Sequence, residues 1–238
     1  MKKNYILQDI IAKMNAMSKG SVPKDSDGYY QLPKDKNGFG SAIIRLLPSP
    51  ADEDTPVVKL FNHAFKTPSG SWFIDFCPTT ADLPCPVCRA NQALWNGPDK
   101  NLALLRKRKQ NYISNVLVVA DPAKRENEGK VFLLKFGETI MGKIKDAMTP
   151  PFGDTEPFDP FDAESGANLR IRMTYDGNFP NYDKSSFDPP SPIGDEDAIA
   201  AVLNQRRSLS AIIAPNQFKS YEELKRKFDE SVGGSKAA

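Results

Sequence analysis

The sequence predicts an α+β protein that is mainly β. It should hold a small antiparallel barrel, inserted helices, a cross-linked subdomain and C-terminal helices. Three observations predict this. Short strand-like stretches are separated by turn signals, with no βαβ alternation that would build a doubly wound sheet. Twenty prolines in 238 residues mark many irregular connections. The only histidine and the only three cysteines, His63, Cys77, Cys85 and Cys88, fall together in one short stretch.

The elements follow in order. Tyr5, Ile6, Ile10, Met14 and Met17 sit near helical spacing, so a short amphipathic helix precedes Gly20 and a polar linker. Asn37-Gly38 is a hairpin signal before a strand over Ala42–Leu47. A second strand, Val57–Phe65, carries His63. Pro68-Ser69-Gly70 then turns the chain into Trp72–Cys77, which puts His63 and Cys77 on the two arms of one hairpin. A helix from Arg89 to Trp95 follows the cysteine pair, and a second covers Leu102–Lys107. Strands over Tyr112–Ala120 and Lys130–Phe136 flank the Glu128-Gly129 turn. Ile140, Met141, Ile144 and Met148 define a helix over 138–148.

Residues 149–166 are Pro- and acid-rich and read as a loop. Leu169, Ile171, Met173 and Tyr175 alternate with Arg170, Arg172 and Thr174, which predicts a half-buried strand with a basic outer face. A long loop with Phe179, Tyr182 and Phe187 leads to two helices. The first, over 196–207, is capped by Asp195 or Asp197. The second, over 221–231, is opened by the capping box Ser220-x-x-Glu223.

Cys85-Pro86-Val87-Cys88 is a Cys-x-x-Cys knuckle. With His63 and Cys77 it completes a tetrahedral set for Zn²⁺. Four protein ligands leave no open position, so such a zinc is structural. Three free cysteines could also be core filler. A disulfide would leave one cysteine over, and a redox Cys-x-x-Cys belongs to a βαβ context that is missing here. The spacing favours zinc. The intervals between the ligands fit no compact zinc finger and suit an ion that pins a subdomain within a larger fold.

Charge and composition narrow the function. Mean composition is that of a globular protein, and no apolar run approaches the roughly 18 residues of a membrane span. The N-terminal segment lacks the pattern of a secretory signal, so a cytosolic setting is expected. Net charge is only +2, but the signs are segregated. Lys100, Arg106, Lys107, Arg108 and Lys109 form a basic run, and Asp154, Glu156, Asp159, Asp162 and Glu164 an acidic one. Either could be a solvated loop.

Cations interleaved with aromatics suit a single-stranded nucleic-acid groove, where charge follows phosphates and rings stack on bases. The candidates are Arg106, Lys107, Arg108, Lys109, Tyr112, Lys135, Arg170, Arg172, Phe179 and Tyr182, with Trp72 and Trp95 flanking the zinc ligands. Any one ring could instead pack in the core. The polar neighbours of Tyr112 and Tyr182 argue for exposure. An enzyme finds little support, because there is no phosphate-binding glycine loop, no nucleophile elbow and no His-x-Glu after His63.

Several motifs in one order carry a family resemblance. They are Ala42-Ile43-Ile44-Arg45-Leu46-Leu47-Pro48-Ser49, the His63/Cys77/Cys85/Cys88 set, Arg108-Lys109 before Tyr112, and Asn115-Val116-Leu117-Val118-Val119. Glu126-Asn127-Glu128-Gly129-Lys130-Val131-Phe132, Phe179 with Asn181-Tyr182-Asp183, and Phe218-Lys219-Ser220-Tyr221-Glu222-Glu223-Leu224 complete the series. Over roughly residues 1–230 the chain resembles the helix-destabilising single-stranded DNA-binding proteins of T-even-type phages. The resemblance implies an OB-fold-like barrel over 21–232, a zinc-stapled subdomain at about 61–107, and a basic cleft between them for single-stranded DNA. It assigns residues 1–20, with Lys2, Lys3 and Tyr5, to an arm that docks on the neighbouring protomer. Residues 233–238 are expected to be a disordered end.

The implied role is sequence-tolerant coating of DNA in phage replication, recombination and repair, in the cytoplasm of the infected host, without catalysis. An RNA-binding regulator with the same groove is the alternative. A zinc nuclease is the third class, and the four-ligand site argues against it. The family's acidic tail, which recruits replication and recombination proteins, has no counterpart before the terminal Gly-Gly-Ser-Lys-Ala-Ala. Gln110-Asn111 replaces the expected Ser/Thr after the basic run. Ala103, Ile113 and Leu134 stand where the family has aromatics, and the interval before Cys85 is shorter by two residues. Those departures shift the expected binding toward charge.

Overall fold

The computed structural model describes residues 28–177 and 179–233. The expected N-terminal arm, with Lys2, Lys3 and Tyr5, and the last five residues lie outside them. The described chain divides into two units: a larger one of residues 28–60 and 110–212, and a smaller one of residues 61–109 and 213–233. The fold is α+β and mainly β, as expected, and its antiparallel sheet curls into a half-barrel.

In the larger unit, β1 (Gly40–Leu46) lies at the centre. It pairs antiparallel with β4 (Lys109–Ala120) on one side and β6 (Asn168–Asp176) on the other. A bulge between Ile43 and Ile44 bends β1 against β4. Next to β4 lies β5 (Val131–Phe136), whose register sets Tyr112 against Phe136 and Val116 against Phe132. The loop expected after β6 contains two short strands, β7 (Phe179–Asn181) and β8 (Ser186–Phe187), both paired to β6.

The alternation seen in the sequence becomes a buried face of Ala42, Ile44, Leu46, Val116, Val118, Leu134, Leu169 and Ile171. Among the helices, α3 (Glu138–Met148) lays Ile140, Met141 and Ile144 on this core, as its apolar spacing predicts. The alternation of β6 ends at Met173, and Tyr175 is exposed rather than buried.

Polar groups buried in the larger unit are placed to close loops. Arg45 is fully buried in β1. Its Nη2 donates to the carbonyls of Asp162 at 2.9 Å and Ser191 at 2.7 Å. Asp162 in turn accepts the backbone N–H groups of Glu164 and Ser165. Part of the acidic run is therefore a folded cover over Arg45, while Asp154 and Glu156 remain exposed. Gly166 is needed there, because a Cβ would meet the Asp162 carbonyl at 2.4 Å. Asp121 ends β4 by accepting from Lys124 N–H and Asn127 Nδ2 in the following turn, and from the Tyr30 hydroxyl at 3.0 Å.

The smaller unit begins within β2 (Val58–Lys66), which forms a hairpin with β3 (Trp72–Phe76). After it come α1 (Pro86–Asn96), α2 (Lys100–Arg106) and, from the end of the chain, α5 (Tyr221–Gly233). Phe65, Phe73, Val87, Leu224 and Phe228 form its core together with Cys77 and Cys85. Asp75, nearly buried, receives Lys219 at 2.5 Å and Lys227 at 2.7 Å, which ties the C-terminal segment to β3. Among the described residues no helix is long and apolar enough to cross a membrane.

Helix α4 (Glu196–Leu203) is capped by Asp195, which accepts from Ala198 N–H. It stops before the expected residue 207. There the Arg206 side chain turns back onto the Leu203 carbonyl at 2.7 Å and reaches the carbonyls of Pro48 and Ser49. Beyond it, the Glu53 carboxylate accepts from Leu209 and Ser210 N–H and from the Ser208 and Ser210 hydroxyls. Burial works to raise the Glu53 pKa, but these hydrogen bonds together hold it below the usual value.

A depressed carboxyl contributes stability above the unfolded value, roughly 4.3, and loses it as pH falls through the folded value. Glu53→Gln should therefore cost about 1 kcal/mol at pH 7, measured by urea unfolding. The difference from the native chain should shrink below about pH 4. A difference that is independent of pH would show that the carboxylate charge is not what holds residues 208–210.

Candidate metal centre and nucleic-acid interface

His63 stands in β2 opposite Asp75, and Cys77 follows β3 directly, so both arms of the hairpin contribute a donor. Cys85 is the N-cap of α1. Its sulfur accepts from Cys88 N–H, and Pro86 fills the first helical position where no N–H is needed. The knuckle is thus a helix start, which turns Cys88 back beside Cys85. The helix begins at Pro86 rather than Arg89 for the same reason.

One ligand atom from each of His63, Cys77, Cys85 and Cys88 lies within 4.8 Å of all the others. His63 Nε2 is 3.4 Å from Cys85 Sγ and 3.6 Å from Cys88 Sγ, and Cys77 Sγ is 3.5 Å from Cys88 Sγ. A tetrahedral ion with sulfur bonds of about 2.3 Å sets sulfur–sulfur edges of roughly 3.8 Å. The donors therefore already lie near the corners of such a site. Three of the four residues are buried.

The four donors lie close enough to compete for protons. Hydrogen bonds with Cys85 and Cys88 pull the Cys77 thiol far down, and contact with Cys77 pushes the Cys88 thiol far up. Burial acts to lower the His63 pKa, but hydrogen bonds with Cys77 and Cys85 raise it to about 9. A cation relieves this competition by displacing the protons. The four residues fit a metal ion.

The basic run 106–109 does not act as one block. Arg106 turns inward, with its guanidinium 5.5 Å from the Phe65 ring centroid and 5.9 Å from that of Phe228, and its Nε is buried without a partner. Burial lowers its pKa. It is a core-facing cation, which corrects its place among the open ones. Lys107, Arg108 and Lys109 are exposed. In the same unit Trp72, 58% exposed, and Trp95, 38% exposed, present their rings to solvent. Trp72 heads β3 opposite the exposed Lys66.

In the larger unit Arg170, Arg172 and Lys135 lie on exposed positions of their strands. Arg170 is already engaged by Asp188 at 2.5 Å. Phe179 is 77% exposed. Tyr112, expected at the surface, is buried instead. Its ring stacks on Phe136, and its hydroxyl bonds to Glu138 at 3.1 Å with Gln110 closing the group. The polar neighbours in sequence are the partners of a buried phenol, not a sign of exposure. Tyr182 is half-buried against the core, and its hydroxyl points at Met173 Sδ.

Sequence reasoning missed Lys34 and Tyr175. Lys34 Nζ lies 5.8 Å from the Tyr175 ring centroid and donates to its hydroxyl at 3.2 Å, so a cation and an exposed ring stand together at the end of β6. Phe61 and Thr79, both in contact with Arg108, were also missed. No local pattern marks a cation–ring pair whose members are far apart in the chain.

Residues 38–232 match a family model described as "gp32 DNA binding protein like". The chain belongs to this family. A protein of Enterobacteria phage T2 named single-stranded DNA-binding protein is 39% identical over 98% of this chain and 80% of its own length. One of the same name from Enterobacteria phage T4 is 40% identical over 94% of this chain and 75% of its own. A third, from Enterobacteria phage RB70, is 40% identical over 47% of this chain and 99% of its own length. The gp32-like match covers both units, including all four donors.

Replacing Cys88, the most exposed of the four donors, by Ser should leave three good ligands and weaken the site. The expected loss of melting temperature is on the order of 10 °C. Chelation of the native chain should open residues 63–107 to protease. A chelated protein with unchanged melting and cleavage would show that the cluster is a set of inert thiols.

Proposed function

We propose that the chain binds single-stranded DNA without regard to sequence and coats it during phage replication, recombination and repair. It acts by binding and positioning, not by catalysing a reaction. The observation that carries this reading is the pairing of exposed cations with exposed rings, in a chain whose gp32-like relatives are named for single-stranded DNA. Those names give no support to the RNA-binding alternative. Each unit supplies its own contacts: Lys107, Arg108, Lys109, Trp72 and Trp95 in one, and Arg170, Arg172, Lys135, Phe179 and Tyr182 in the other.

Zn²⁺ is the proposed ion, because three thiolates and one imidazole in a closed tetrahedral arrangement suit it best. With four protein ligands it would supply structure, not a nucleophile. His63 is thereby committed to the ion, which leaves the chain no histidine for acid–base work. Residues 1–20 are proposed to dock on the next protomer along the strand, and the infected host cytoplasm is the proposed setting.

Quenching of Trp72 and Trp95 by oligothymidylate across a salt series tests the reading directly. The native chain should prefer DNA over a matched oligouridylate in competition. Changing Arg108 and Lys109 together to Ala should make the log–log salt slope shallower by roughly 1 to 1.5, at about 0.7 for each phosphate no longer neutralised. Phe179→Ala should instead cost about 1–3 kcal/mol with little change in slope, because stacking releases few counterions. An unchanged slope in the double variant would mean that Arg108 and Lys109 serve only solvation.

Deleting residues 1–20 should reduce cooperativity on a long lattice and leave binding to a short oligomer nearly unchanged. Equal losses on both would assign the arm to DNA contact instead.

A further inference from the structure

Arg108 is held differently from the cations around it. Its guanidinium lies 4.0 Å from the centroid of the Phe61 ring, and its Nη1 donates to Thr79 Oγ1. The same Thr79 oxygen is 3.1 Å from Cys77 Sγ. A threonine hydroxyl has one proton and two lone pairs. It can only accept from a guanidinium, so its own proton is left to point at the Cys77 sulfur.

Phe61 lies in β2 and is hydrogen-bonded to the turn Cys77–Ala81 that carries Thr79. Its N–H donates to Thr80 Oγ1 at 2.9 Å, and its carbonyl accepts from Cys77 N–H at 2.8 Å. One wall of the seat therefore belongs to the turn Cys77–Ala81, and the other, on β2, is hydrogen-bonded to it. Neither wall is charged. The ion pairs made by Arg170, Lys219, Lys225 and Lys227 do not involve Arg108.

We infer that Thr79 is a positioning residue that presents Arg108 as a pre-ordered, uncompensated phosphate donor for single-stranded DNA. This rests on the proposed reading of Arg108 as a backbone contact. An arginine fixed before binding loses less rotamer freedom when phosphate arrives, and its planar fork keeps N–H groups unspent beyond the one given to Thr79. The geometry also gives the metal a route to the DNA-binding surface. Cys77 held to an ion would fix the turn, and the turn holds Thr79 against the guanidinium that would meet the strand.

The test compares Thr79→Val, which keeps the shape and removes the hydroxyl, with Thr79→Ser, which keeps the hydroxyl. Both are zinc-loaded, checked for metal content and melting, and titrated with oligothymidylate across a salt series. Thr79→Val should bind several-fold more weakly, with a slope shallower by up to about 0.7. Thr79→Ser should match the native chain. In an Arg108→Ala background, Thr79→Val should change nothing further.

If Arg108→Ala alone binds with native affinity and slope, the reading of Arg108 as a phosphate contact fails. If Arg108→Ala weakens binding but Thr79→Val does not, or is just as harmful without Arg108, the positioning role is overturned and the phosphate contact stands. Should Thr79→Val lose metal, Phe61→Leu takes its place by removing the other wall, with the same expected losses and the same absence of further effect in the Arg108→Ala background.

Discussion

The four-donor cluster of the smaller unit brings together side chains from three separate parts of it. The unit's core is a handful of side chains, Phe65, Phe73, Val87, Leu224 and Phe228, and two of the donors, Cys77 and Cys85, are themselves core residues. Little apolar surface is available to hold a hairpin, two short helices and a segment from the far end of the chain. An ion held by the donors would join what the core holds weakly: β2 through His63, the end of β3 through Cys77, and the start of α1 through Cys85 and Cys88. Asp75 adds the C-terminal segment by taking two lysines on one buried carboxylate. Losing either lysine would leave the carboxylate one partner, whereas losing Asp75 would leave both lysines without it.

The larger unit solves a different problem. Its apolar core is ample, but its connections are long and polar. Three side chains, Arg45, Asp121 and Glu53, fasten such connections by gathering polar groups from them. Arg45 collects the carbonyls of residues 162 and 191, Asp121 collects the turn into β5, and Glu53 collects residues 208–210. Such groups are costly to bury and specific in what they accept. They fix loop positions that hydrophobic burial alone would leave degenerate.

These two devices explain what was legible in the sequence. Strands with alternating or continuous apolar runs and the helix over 138–148 followed from periodicity, which burial enforces. The four donors were legible because histidine and cysteine are so scarce in this chain. The hairpin that joins His63 to Cys77 was legible from its turn residues. Exposure of single aromatics was not. Tyr112 lies in a polar stretch, yet its partner is Glu138, which no local pattern connects to it. The short strands β7 and β8 were missed because they exist only by pairing with β6. The early stop of α4 depends on a side chain, Arg206, that folds back onto its own helix end.

The same limit applies to charge. In sequence, residues 106–109 are four equivalent cations. In the fold Arg106 and Arg108 part ways, decided by what lies opposite each. Arg106 spends its charge on Phe65 and Phe228 inside the unit, where burial weakens its hold on the proton. Arg170, on another strand, is paired with Asp188 while remaining exposed. Arg108 is gripped by a ring and a hydroxyl, which orient it without cancelling it. A phosphate contact needs both order and net charge. Order without charge gives no counterion release, and charge without order loses rotamer freedom on binding. By that criterion the strength of a basic surface is set by the neutral side chains that hold its cations, which is why counting lysines and arginines along the chain overstates some contacts and overlooks the residues that make others effective.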